Sequence, residues 1–185
     1  MKSTVFIVTG LPCTGKTTIG RKIADSLKIP FLSKDEIKEL IFDNLGYSDR
    51  EYSKKVGKVA YAIIFNYVED YVKKGLSFVL ESNFKPEFDN EFFQKIENKY
   101  QPKFIQLLCH SDGEIIYNRF KERAESGNRH PGHADSSNLD EWKPILTTGK
   151  CLPLDVAGKI IELDTTDFSL VKTDDLLKSF KLEMN

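Results

Sequence analysis

The sequence predicts an α/β fold organised around a phosphate-binding turn, and three observations carry that prediction. Gly10-Leu11-Pro12-Cys13-Thr14-Gly15-Lys16-Thr17 reads G-x-x-x-x-G-K-T. The run Thr4-Val5-Phe6-Ile7-Val8 before it is short, apolar and β-branched, the pattern of a buried strand. After it, Ile19, Ile23 and Leu27 recur every four residues, as on one face of a helix. The glycines therefore fall where a strand turns into a helix.

That placement has a chemical consequence. The first N–H groups of a helix are unpaired and carry partial positive charge, so they attract a polyphosphate. Gly10 and Gly15 lack a Cβ, which lets the backbone close around phosphate oxygens. Lys16 offers a mobile ammonium to the β- and γ-phosphates, and the Thr17 hydroxyl is a hard oxygen suited to Mg²⁺.

The bulk properties narrow the partners. A chain of 185 residues suits one domain, expected over 1–185. The formal net charge of −1 gives no general polybasic attraction to nucleic acid or membrane, and no apolar run approaches the ~20 residues of a membrane span. The chain runs directly into its first strand, leaving no room for a signal peptide, and a cytoplasmic setting is expected. Cys13, Cys109 and Cys151 are too widely spaced for a zinc or disulfide framework, which fits a reducing compartment. Cys13 lies near a helix N-terminus, where thiolates are favoured; the plainer reading is a variable loop position.

The remaining elements follow in order. Pro30–Ser33 is a short second strand, and Lys34-Asp35-Glu36 opens a helix with Ile37, Leu40 and Ile41 on one face. Ser33 is expected as N-cap, with Glu36 as its capping-box partner. Asp35 stands at the C-terminal end of a strand, where open α/β sheets carry their ligand crevice. It is either a general base for a hydroxyl attacking the γ-phosphate or a first-turn acid favoured by the helix dipole.

A long helix is expected from Asp49 to Lys74, with Tyr52, Val56, Val59, Ala60, Ile63, Ile64, Tyr67, Val68 and Tyr71 near a 3.6-residue period and Gly75 as its C-cap. Phe78–Glu81 is the third strand, and Glu81 either holds a Mg²⁺-bound water, orients an acceptor, or merely ends the strand. Phe88, Phe92, Phe93 and Ile96 mark a helix from Pro86 to Asn98, and Phe104–Cys109 is the fourth strand. A helix from Asp112 to Glu125 carries Arg119 and Arg123 four apart, and leads into a Gly/Pro loop with Arg129, His130 and His133. This is either a lid that grips phosphate through arginine forks or a solvated basic face. The histidines have no companions close enough in sequence for a metal site. Asn138–Lys143 looks helical, with Trp142 beneath the lid. Lys159–Asp164 is the fifth strand, the Thr165–Thr166 loop faces the ligand side, and a last helix covers Leu170–Phe180.

As a whole the chain resembles a small P-loop kinase of the nucleoside monophosphate kinase superfamily. Within it, the similarity is to AAA-type predicted ATP-binding kinases related to chloramphenicol phosphotransferase, zeta toxin and polynucleotide 5′-kinase. The residues that carry it are G-L-P-C-T-G-K-T-T at Gly10–Thr18, S-K-D-E at Ser33–Glu36, V-L-E-S-N at Val79–Asn83, and R-x-x-x-R leading to R-H-P-G-H at Arg119–His133. The resemblance implies a three-layer P-loop NTPase fold: a five-stranded parallel sheet of order 2-3-1-4-5, helices on both faces, and a small lid over about 119–140. It implies ATP and Mg²⁺ held on Gly10, Leu11, Pro12, Cys13, Thr14, Gly15, Lys16, Thr17 and Thr18, with Asp35 as general base. It also implies Arg119, Arg123 and Arg129 on ATP phosphates or adenine. Glu81 stands where many relatives have Asp, so its metal contact is expected through water.

The expected activity is transfer of the γ-phosphate of ATP to a hydroxyl of a small-molecule acceptor. Lys16, Asp35, Arg123 and Arg129 are the expected catalytic residues, and Thr17 and Glu81 the metal site. A polynucleotide or nucleoside 5′-hydroxyl kinase is the alternative, drawing on a basic channel of Lys34, Lys38, Lys54, Lys55 and Lys58. An ATP-binding switch without an acceptor is the second.

Overall fold

The computed structural model describes residues 2–135 and 139–184. Asn138, read with Leu139 as part of a helix, lies outside them, as do residues 136 and 137 of the expected lid.

Five parallel strands form one sheet: β1 (Thr4–Gly10), β2 (Phe31–Ser33), β3 (Phe78–Glu81), β4 (Lys103–His110) and β5 (Gly158–Asp164), in spatial order β2-β3-β1-β4-β5. The chain leaves β1 for one edge and crosses to the other side after β3, so the order switches beside β1. The C-terminal end of β1 therefore opens into the ligand crevice of this architecture.

Strand residues alternate between two packed faces, as a two-residue period requires. Val5, Ile7, Phe78, Leu80 and Phe104 point to one side, against Ile64 and Val68 of α3 (Arg50–Lys73) and Phe93 and Ile96 of α4 (Pro86–Tyr100). Phe6, Val8, Val79, Ile105 and Leu107 point to the other, against Ile19 and Ile23 of α1 (Lys16–Leu27) and Phe180 of α7 (Thr173–Met184). Each buried Phe, Ile or Leu side chain contributes about 1.5–3 kcal/mol to this sandwich. α2 (Lys34–Leu45), α5 (Gly113–Glu125) and α6 (Leu139–Leu146) complete the crevice side, with Ile116, Phe120 and Leu146 as a smaller core.

Several local expectations change. α1 begins at Lys16, so both residues after Gly15, Lys16 and Thr17, stand in its first turn. The last helix begins at Thr173, after a 3-10 turn at Phe168–Leu170, with Asp174 and Asp175 suiting its positive end. Val59 and Tyr67 of α3 are exposed, and the buried stripe is Val56, Ala60, Ile64, Val68 and Val72. A strict four-residue step follows the sheet better here than the broader periodic face. Phe88 of α4 is exposed too, because its helix packs through Phe92, Phe93 and Ile96. Lys74 is the C-cap of α3, and Gly75, with φ +71°, takes the left-handed residue just beyond it.

The capping box at α2 does not form. Ser33 occupies the N-cap position, but its side chain makes no capping hydrogen bond. Its Oγ donates instead to Glu81 Oε2 at 2.7 Å, across the β2–β3 pairing that sets the two residues side by side. Glu81 is buried, and a buried carboxylate needs its donor more than a helix end that water can reach. Glu36 pairs with Arg21 on the surface.

Candidate active site

The phosphate loop joins β1 to α1, as the spacing predicts. Cys13 and Gly15 take left-handed conformations, φ +65° and +74°, which give the concave backbone of an anion nest. The N–H groups of Cys13 and of Gly15, Lys16, Thr17 and Thr18 have no hydrogen-bond acceptor among the described residues. Leu11 accepts from the Thr14 hydroxyl at 2.8 Å and from Lys16 Nζ at 3.4 Å, so the loop is held by its own groups. A Cβ on Gly10 would lie 2.4 Å from the Cys109 carbonyl oxygen and 2.6 Å from Thr14 Oγ1, so only glycine lets β1 and the loop approach β4 this closely. Pro12 lies on the cleft side of the loop and Cys13 on the other. Burial pushes the Cys13 thiol up, although Arg123 and Lys16 oppose it. Desolvation thus outweighs the helix end that suggested a thiolate.

Two cavities meet at this loop. One, of about 450 Å³, is lined by Gly15, Lys16, Thr17, Thr18 and Arg21 with the start of α2. The other, of about 370 Å³, runs between α2, α3 and α6 and is lined by Lys34, Lys38, Ser53, Gly57, Tyr61 and Trp142 among others. Lys16, Asp35, Arg123 and Arg129 border both.

Asp35 sits at this junction because α2 starts directly after β2, placing the second helical residue over the sheet's C-terminal edge. Its Oδ2 accepts from Arg129 Nη2 at 2.7 Å, and its Oδ1 lies 3.3 Å from Lys34 Nζ. Burial alone would raise its pKa; Lys34 and Arg129 together outweigh it and hold the carboxyl well below the usual range. Lys34 also donates to Asn83 Oδ1 at 3.3 Å, tying Asp35 to the turn after β3.

Arg129 reaches α2 through a docked turn. The 3-10 segment Pro131–His133 packs on Phe42: His130 stacks on its ring at 5.3 Å, and a Cβ on Gly132 would lie 2.4 Å from it. From there Arg129 binds Glu39 at 3.0 Å as well as Asp35, and its Nε lies 3.5 Å from Asp135. His133 bonds Glu39 through Nε2 at 2.9 Å, and burial lowers its pKa. Arg123 pairs with Asp135 at 3.0 Å. The Nε atoms of Arg123 and Arg129 and Trp142 Nε1 are buried without a hydrogen-bond partner among the described residues.

Arg119 does not join its helix neighbour Arg123 at the cleft. It donates to the carbonyls of Thr165 and Thr166, at 3.0 and 2.8 Å, and so fixes the loop after β5. That loop meets the phosphate loop: the Phe168 ring fills the space where a Cβ on Gly15 would stand.

The donor set fits a nucleotide with its metal. The nest supplies unpaired N–H groups on a concave backbone, and Thr17 and Glu81 supply hard oxygens. Glu81 is already engaged, 3.7 Å from Lys16 Nζ through Oε1 and hydrogen-bonded to Ser33 through Oε2. Of the basic channel read from sequence, Lys34, Lys38, Lys54 and Lys58 line the cleft; Lys55 does not border it. Gly57 and Ser53 were missed. Their spacing with Arg50, Lys54, Lys58 and Tyr61 on one face of α3 is the signal that could have found them.

A family model for an AAA domain matches residues 5–147. The chain belongs to the AAA domain family. It is a member of the P-loop kinase superfamily, whose sheet order and phosphate loop it carries. A solved structure from Chloroflexus aurantiacus, described as a "putative kinase", is 32% identical, with 98% of each chain covered and a TM-score of 0.88. A sugar kinase from Janibacter sp. HTCC2649 is 14% identical, covering 97% of this chain and 92% of its own, at a TM-score of 0.54. Shikimate kinase from Acinetobacter baumannii is 16% identical, covering 98% and 92%, at 0.50. The last two show that this P-loop kinase superfamily member shares their fold. No curated protein matches the sequence.

Proposed function

We propose that the protein transfers the γ-phosphoryl group of ATP to a hydroxyl of a small-molecule acceptor. The observation that carries this reading is that Asp35 borders the phosphate-loop cavity and the α2–α3 cleft together, in company with Lys16, Arg123 and Arg129. A carboxylate at such a junction can take the proton of a hydroxyl in one cavity as its oxygen attacks phosphorus in the other. The relatives described as kinases support the same reaction class.

In this scheme the residues from Gly10 to Thr18 cradle the phosphates. Lys16 exchanges Glu81 for the β/γ oxygens. Asp35 accepts the acceptor's proton while the new P–O bond forms and the bond to the β–γ bridging oxygen breaks, releasing ADP. Arg123 and Arg129 neutralise charge on the transferring group, and Arg119 holds the loop beside the nucleotide. Residues 119–140 act as the lid. Thr17, and Glu81 through water, would hold Mg²⁺, which neutralises phosphate charge when bound.

Arg129 has a double effect here. With Lys34, its bond to Asp35 keeps the carboxylate a weak base. Phosphate oxygens that draw Arg129 away would leave Lys34 as the cation beside Asp35 and make the carboxylate more basic once the donor is in place.

The test is ADP release from Mg·ATP with a panel of hydroxyl compounds, in the protein and in Asp35→Asn. Transfer should fall about 10²–10⁴-fold in the variant, with ATP affinity near that of the parent. Transfer that survives the substitution would remove Asp35 as the base.

A further inference from the structure

Lys38 has no role in that scheme, yet its placement is costly. It is 6% exposed. No carboxylate lies within ion-pairing distance of it among the described residues; its Nζ donates to the Ser53 hydroxyl at 2.8 Å and lies 5.3 Å from the Phe42 ring centre. Charged lysines are almost never buried unless paired. Burial, Lys34 and the guanidinium groups of Arg50 and Arg129 push its pKa down to about 8, against the pull of Asp35.

Gly57 lies beside it. It sits in the middle of the 24-residue helix α3, where glycine is unfavourable. Packing does not demand it, since an added Cβ would meet only Lys38 Cε, at 4.0 Å. What the missing side chain provides is room in the cleft next to the lysine. Trp142 Nε1, buried at the same cleft without an acceptor, is a further unsatisfied donor. The α2–α3 wall adds Lys34, Arg50, Lys54 and Lys58; Lys34 pairs with Asp35, Arg50 with Glu141 and Lys54 with Glu51, which leaves Lys38 as the buried cation of this wall without a carboxylate among the described residues.

Resting on the phosphotransferase reading, we propose that the acceptor is a hydroxyl compound that also carries a phosphate or carboxylate group. That anion binds Lys38 Nζ and Ser53 Oγ in the space left by Gly57. The buried cation gains the counter-charge it lacks in the free protein, and the acceptor hydroxyl is left free to face Asp35.

Binding of inorganic phosphate and of malonate, by calorimetry, tests the site apart from catalysis, with the phosphate loop filled by a Mg-bound non-hydrolysable ATP analogue. One anion should bind per chain. Lys38→Met should weaken it at least tenfold, and Gly57→Leu, which keeps the lysine and fills the space, should do the same. Affinity for the ATP analogue should be unchanged in both variants. The relative affinity of the two probes tells phosphate from carboxylate. Absence of anion binding, or binding indifferent to both substitutions, overturns the proposal. ADP release with sugars and their matching phosphates and aldonates separates the two readings. Turnover of the anionic members is the expected result. Turnover of neutral members alone overturns the anion site and leaves the transferase; anion binding without any turnover does the reverse.

Discussion

On the phosphate-loop side of the cleft every central cation already has a carboxylate. Lys16 lies 3.7 Å from Glu81, Arg123 3.0 Å from Asp135, and Arg129 binds Asp35 and Glu39. On the α2–α3 side Lys38 is buried with a hydroxyl and the Phe42 ring as its partners and no carboxylate among the described residues. The paired cations can exchange carboxylate for phosphate without leaving a bare charge in the free protein. Lys38 has no such resting carboxylate, so at neutral pH its charge stays unbalanced in the free protein. The difference separates two kinds of site: one whose charges are kept in balance between turnovers, and one whose imbalance selects what enters.

Replacing Lys16 should break this comparison most severely. Lys16→Met should lower transfer by about 10²–10³-fold, the range seen when a charge stabilising the transition state is removed. Rapid-quench measurement of a single turnover would read it directly. A loss below tenfold would show that the loop N–H groups carry the phosphates alone.

Ser33→Ala sharpens the resting side. It removes the hydroxyl donor to Glu81 Oε2 and should cost about 1–3 kcal/mol in urea unfolding. A cost near zero would mean that Glu81 relies on Lys16 alone.

Lys38→Met should do the opposite and stabilise the ligand-free protein, by about 1–2 kcal/mol at pH 7, because it removes a buried charge whose pKa burial has lowered. The sign can be checked with pH. Above about 8 the folded lysine releases its proton while the unfolded one still holds it, so the unfolded state binds more protons and stability of the parent rises with pH. The gap between parent and variant should therefore narrow from pH 8 to 10, with Lys34, Asp35, Arg50 and Arg129 as the neighbouring charges. Thermal unfolding of the pair across that range measures it. A gap that stays constant would place the effect in packing rather than charge.

The smallest effect belongs to Gly57→Ala, which should add about 0.5–1 kcal/mol through helix propensity alone, since its Cβ meets only Lys38 Cε, at 4.0 Å. Loss of stability in urea unfolding would show that the glycine serves packing after all.

The phosphate loop was legible because its function lies in consecutive residues: Gly10, Gly15, Lys16 and Thr17 act through backbone geometry fixed by local sequence. Asp35 was legible as a strand-end acid, but its locked state was not. Arg129 comes to it from 94 residues away, carried by a turn that docks on Phe42. Ser33 was misread as a cap because Glu36 stood at capping-box distance, whereas the competing partner, Glu81, came from a neighbouring strand. Arg119 and Arg123, four apart, share a helix face by spacing, yet one serves the β5 loop and the other the cleft, since what each side chain meets depends on other elements.

By itself the sequence determined the α/β class, the strand–loop–helix phosphate cradle and the acid after β2, because each is set by periodicity or by neighbours a few residues away. Tertiary structure decided which charges rest in pairs and which is left alone. That outcome depends on burial and on partners brought from distant strands and helices, and Coulomb energy responds to distance and desolvation rather than to order along the chain.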